Sequence, residues 1–175
     1  LTLQAAKYID RRLKELGLNS VLTRDNDEYL PREDRIRRIN SLTNNQPAIL
    51  ISNHINAGGG EGAEIVYALR NDSTLADITL QNIGEVGQLK RKVYQRRLPE
   101  NPNLDYYYIL RESGQNTEPI LIEYGFIDNI KDQNKLLNYL DDYAEAVVKS
   151  VAEYTNTPYL EPNTSEQYTV QRGDT

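Results

Sequence analysis

Two residues stand out by type and position. His54 is the only histidine in the 175-residue chain, and it follows the apolar run Ala48-Ile49-Leu50-Ile51, which Pro47 opens. Glu123 closes a second apolar run, Pro119-Ile120-Leu121-Ile122, and leads into Tyr124-Gly125-Phe126. An imidazole is a metal ligand or a base. A carboxylate at the end of an apolar strand is costly unless it is paired or coordinates something. If the two strands are near neighbours, both side chains emerge at one rim of a sheet and can flank a single reacting atom. A hydrolytic zinc site needs three protein ligands, an open water position and a nearby base. One histidine with several carboxylates does not complete a histidine-based set. Asn56, just beyond His54, and Arg111, just beyond Tyr106–Tyr108, are the candidate substrate contacts.

Each of these has a plainer reading. A lone histidine at a strand end is more often a hydrogen-bonded structural residue than a ligand. Glu123 could be the partner of an arginine or of backbone amides, and Arg111 a surface or salt-bridge residue. Gly58-Gly59-Gly60 reads as a flexible turn, because it lacks the spacing of a phosphate loop and opens no helix. Lys90–Arg97 reads as a solvated face that could receive an acidic polymer. At least one ring of Tyr106–Tyr108 is expected in the core, because strand side chains alternate between faces.

The elements that must hold these residues follow from periodicity. Ala5, Ala6, Ile9, Leu13 and Leu16 fall at helical spacing and Gly17 follows as a stop. Ser20–Arg24 reads as a short strand, and Pro31 opens a second helix with Ile36, Ile39 and Leu42 inward. The run before His54 reads as a buried strand of a parallel sheet, and 63–69 as another. Thr74 to about Val93 reads as a helix weakened by Gly84 and Gly87. Residues 96–105, with Pro99 and Pro102, read as loop, and 106–110 as a strand. Asp132 is expected to cap the last long helix, whose inner face runs from Leu136 to Val151. Strands alternating with helices predict an α/β domain, a mostly parallel twisted sheet flanked by helices on both faces.

Bulk composition narrows the class. Hydrophobic content of 38% and a charged fraction of 26% suit one soluble globular core. A net charge of −6 argues against a nucleic-acid partner. No apolar run approaches the ~20 residues of a membrane span. The chain has no Cys, which excludes a thiolate metal site. It has no Met and opens on Leu1 inside a helical pattern, so both ends read as cut. The expected organisation is a catalytic domain over 1–155, a linker over 156–167 and the start of a further module over 168–175. A monomer is expected.

The order of motifs carries a resemblance. Val21-Leu22-Thr23-Arg24-Asp25, then Arg35 and Asn40, then Ser52-Asn53-His54-Ile55-Asn56-Ala57, then Ile122-Glu123-Tyr124-Gly125-Phe126-Ile127-Asp128-Asn129, resemble the type 3 zinc-dependent N-acetylmuramoyl-L-alanine amidases. The resemblance covers about Leu1 to Thr155; Asn53 stands where that family usually has an apolar residue. It implies an amidase/zinc-exopeptidase-like sheet lacking its first strand. It also implies Zn2+ held by two histidines and a glutamate, with His54 as the second histidine and Glu123 as the catalytic glutamate. The other two ligands have no counterpart here and would fall upstream of Leu1. Tyr168–Thr175 resembles the opening of a LysM module, a reader of N-acetylglucosamine-containing glycans.

The implied activity is hydrolysis of the amide between N-acetylmuramic acid and L-alanine in peptidoglycan, at the bacterial cell wall outside the membrane. On this reading residues 1–175 alone hold a half-built site with weak or no zinc affinity. The alternatives are another zinc hydrolase, such as a peptidase, and a non-catalytic wall-binding protein that keeps the fold.

Overall fold

In the computed structural model, residues 1–162 are described; the predicted LysM opening at 168–175 and the last part of the linker lie outside them. The chain runs α1 (Thr2–Glu15), α2 (Arg32–Thr43), β1 (Ala48–Asn56), β2 (Ala63–Tyr67), α3 (Thr74–Glu85), β3 (Lys90–Tyr94), β4 (Arg97–Leu98), β5 (Asn101–Asp105), α4 (Tyr108–Glu112), β6 (Thr117–Phe126), α5 (Ile130–Asn138) and α6 (Leu140–Tyr154). Four strands form one sheet in the order β1-β6-β2-β3, and β4 pairs with β5 as a separate hairpin. β1 runs parallel to β6 and β2 parallel to β3, while β2 and β6 are antiparallel.

Strand alternation sorts the side chains onto two faces. Ile49, Ile51 and Ile55 of β1, Ala63 and Ile65 of β2, and Ile120, Ile122 and Tyr124 of β6 join the larger core with α1, α3, α5 and α6. Leu50, Val66 and Leu121 face the other way, into a smaller core with Ile39 of α2 and Ile109 and Leu110 of α4. Helices therefore cover both faces of a mostly parallel sheet, as the alternating pattern predicts.

Several elements differ from the sequence reading. The strand through His54 extends to Asn56, and as the edge of the sheet it is half-buried rather than fully buried. The single helix predicted over 74–93 stops at Glu85; Gly87 turns the chain at φ +98 and β3 follows. The predicted loop over 96–105 contains the β4–β5 hairpin. Tyr106–Leu110 is not a strand: the helix α4 begins at Tyr108, and its Ile109 and Leu110 both pack into the smaller core. Among the described residues, 20–24 pair with no strand; they line a cleft of about 1240 Å³ beside β1, with the Thr23 carbonyl accepting from Arg38.

The first part of the predicted linker is docked. Tyr159 packs against the larger core and its hydroxyl donates to Glu145 of α6 at 2.8 Å. Arg12 of α1, nearly fully buried, is held by both oxygens of Glu145 and donates to the Leu160 carbonyl at 2.6 Å.

Candidate active site

His54 and Glu123 are register partners on the adjacent strands β1 and β6. Glu123 shares its face with Leu121 and His54 shares its face with Leu50, so both side chains stand on the α2 side of the sheet. β2 adds a third residue to the row: Glu64 is the register partner of Glu123 across the antiparallel pair. Three ionisable side chains thus lie side by side across β1-β6-β2. Sequence reasoning missed Glu64. Its signal was a carboxylate in the apolar stretch Ala63-Glu64-Ile65-Val66, whose pairing to Glu123 only the strand order reveals.

The two glutamates differ in their surroundings. Glu64 is buried but well paired. Its carboxylate meets Arg91 Nε at 2.5 Å and Lys92 Nζ at 3.7 Å, and accepts from Tyr94 and Asn56 at 3.4 Å each. Lys90–Arg97 is therefore not simply a solvated face, because two of its cations neutralise a buried acid. Glu123 is 9% exposed and its Oε2 is buried without a hydrogen-bond partner. Burial, then the nearby charge of Glu64, pushes its pKa up to about 7. A carboxyl group poised near neutrality and carrying an unpartnered oxygen is suited to taking and giving protons.

His54 is exposed at the rim. Its Nε2 lies 2.8 Å from the Ser52 hydroxyl, with donor and acceptor set by the tautomer. The protein packed around the ring, and secondarily the charge of Arg35, hold its pKa below the usual histidine value. The neutral, ligating form is favoured.

The other two candidates have structural partners. Asn56 donates to Glu64 and accepts from the Ala57 amide, bracing the row. Arg111 donates to the Asp105 and Tyr106 carbonyls and to Glu112, fastening β5 to α4, which fits the salt-bridge reading.

Residues after Glu123 fasten the turn that follows β1. Asp128 accepts from the Gly58 and Gly59 amides at 2.8 Å each, and Asn129 donates to the Gly60 carbonyl. The glycine turn is latched rather than free. Asn129, not Asp132, caps the helix that follows, accepting from the Lys131 and Asp132 amides. Asp132 is fully buried and its Oδ2 accepts from Gly62 and Phe126. Gly125 leaves it room: a Cβ there would lie 3.0 Å from both Asp132 Cγ and Gln88 Nε2. Gly125→Ala is expected to destabilise the fold by about 1–3 kcal/mol through overpacking, measured by urea denaturation with an unchanged slope.

The profile of the N-acetylmuramoyl-L-alanine amidase family matches residues 1–153, nearly the whole described chain. The chain belongs to that amidase family. Among its relatives, YqiI of Bacillus subtilis is 28% identical over 163 residues, spanning 88% of this chain and 72% of YqiI. The sporulation-specific N-acetylmuramoyl-L-alanine amidase of the same organism is 31% identical over 121 residues, 69% of this chain and 43% of that protein. The crystal structure of an N-acetylmuramoyl-L-alanine amidase from Clostridium difficile 630 superposes with a TM-score of 0.71 at 28% identity, covering 89% of this chain and 82% of that one. The amidase fold therefore extends through the row of His54, Glu123 and Glu64.

Proposed function

We propose that the protein hydrolyses the amide between N-acetylmuramic acid and L-alanine in peptidoglycan, with Zn2+ as cofactor and the cell wall, outside the membrane, as its site of action. Family membership supports the substrate class. The observation that carries the chemistry is Glu123, a rim carboxyl group with an unpartnered buried oxygen, in register with the chain's only histidine.

The residues present fit part of a zinc site. His54 would supply one neutral nitrogen; with Nε2 held by Ser52, Nδ1 is the atom on offer. The orphaned oxygen of Glu123 fits a base beside it. Among the described residues no three His, Cys, Asp or Glu side chains converge to hold a metal. Residues 1–175 alone are then expected to bind zinc weakly or not at all.

Bound zinc would polarise the scissile carbonyl and acidify the attacking water. Glu123 would take the proton of that water as it attacks, its unpartnered oxygen being the atom that accepts it. It then returns the proton to the departing amine of L-alanine, which otherwise leaves as a poor anionic group. Burial, and secondarily the carboxylate of Glu64, keep the proton affinity of Glu123 above that of an ordinary carboxylate in the metal-free site.

Digestion of purified peptidoglycan by the full-length protein tests this. Peptides with new L-alanine amino termini should be released, without new reducing sugar ends, and chelation followed by zinc should stop and restore the release. Cleavage within the peptides would indicate a peptidase. Wall binding without release would indicate a non-catalytic binding protein.

A further inference from the structure

We propose that Arg35 is a substrate-recognition residue, receiving a carboxylate of the peptide part of the substrate. This rests on the amidase reading above. Arg35 lies four residues before Ile39, which is buried against the sheet in the smaller core. Residues four apart share a helix face, so Arg35 occupies the sheet-facing side of α2, one turn nearer the helix start. It lines the same cleft as Ser52, His54, Tyr107 and Tyr108.

Arg35 lacks the partner such a position usually demands. Among the described residues it forms no ion pair, and its Nη2 reaches only the Leu30 carbonyl at a long 3.4 Å. The neighbouring arginines of α2 differ: Arg32 pairs with Glu112, Arg37 with Asp34 and Arg38 with Glu28. A half-buried guanidinium with unused donors at the mouth of a cleft is matched by an incoming carboxylate, which it can hold with two parallel hydrogen bonds. The net acidic chain otherwise repels an anionic peptide, so this cation provides local attraction and fixes orientation.

The test is binding, measured by calorimetry on the full-length protein carrying Glu123→Gln so that ligand is not consumed. Two soluble probes are compared: a muramoyl peptide with free carboxylates and the same peptide with its carboxylates amidated. The free acid is expected to bind about 10- to 100-fold more tightly, the range of one charge-assisted hydrogen-bonded pair. Arg35→Met should remove that preference by weakening the acid to the level of the amide, leaving the amide unchanged. Arg35→Lys should keep part of it. A matching melting temperature establishes that the variants fold. An equal affinity for acid and amide, or a preference that survives Arg35→Met, overturns the assignment and leaves the amidase reading standing. Failure to bind either muramoyl peptide overturns both.

Discussion

Replacing Glu123 by Gln in the full-length protein is expected to cut hydrolysis by about 10²- to 10⁴-fold, the usual contribution of a general base. The amide keeps the shape of the side chain and loses only the ability to accept and return a proton. Binding to wall should persist, which separates loss of chemistry from loss of fold. The same substitution should also stabilise the chain at high pH in metal-free buffer. Glu123 has a folded pKa of about 7 against an ordinary 4.5, because burial and the charge of Glu64 disfavour its anion. The folded state therefore holds the proton more tightly than the unfolded state. Its contribution to stability is fully present below about pH 4.5 and is lost as pH rises through 7. The neutral amide of the Glu123→Gln variant carries no such penalty. The stability difference between variant and wild type should grow by at most about 3 kcal/mol from pH 4 to pH 8. Urea denaturation at several pH values measures it. A difference that stays constant with pH would mean that Glu123 is solvated and not primed as a base.

The pairing of His54 with Glu123 was legible in the sequence, where two apolar runs end. His54 and Glu123 each follow an apolar run, and a strand order that makes those runs neighbours puts both on one rim. What the sequence did not disclose depends on register. Glu64 reads as an isolated charge until β2 is paired antiparallel to β6. The tyrosine-rich segment before Arg111 has strand-forming residues, yet from Tyr108 it is helical, with Ile109 and Leu110 packed into the smaller core. Local propensity lost there to tertiary packing. The glycine turn reads as loose because its latches, Asp128 and Asn129, lie about 70 residues away in sequence. Residues 20–24 have the composition of a strand but, among the described residues, no neighbour to pair with, and a strand exists only as part of a ladder.

Asp132→Ala is expected to destabilise the fold by about 3–5 kcal/mol, a fall in melting temperature on the order of 6–20 °C for a chain of this length. The size of the effect decides between two roles. As a helix cap, the role its place in the sequence suggests, Asp132 would contribute about 1 kcal/mol. In the structure its carboxylate ties three segments together. Oδ2 accepts from the Gly62 amide at 2.8 Å, just before β2, and from the Phe126 amide at 2.9 Å, at the end of β6. Oδ1 accepts from Gln88, which also donates to the Tyr124 carbonyl and so joins the turn before β3. Truncation leaves two buried amides unsatisfied, each costing about 1–3 kcal/mol, and opens a cavity. Asp132→Asn keeps the volume and one acceptor oxygen, but it turns an NH2 toward the Gln88 NH2, so an intermediate loss is expected. Because Phe126 closes the strand that presents Glu123, hydrolysis should fall with stability in the Ala variant and recover partly in Asn. A loss near 1 kcal/mol would return Asp132 to a capping role and leave the glycine turn resting on Asp128 and Asn129 alone.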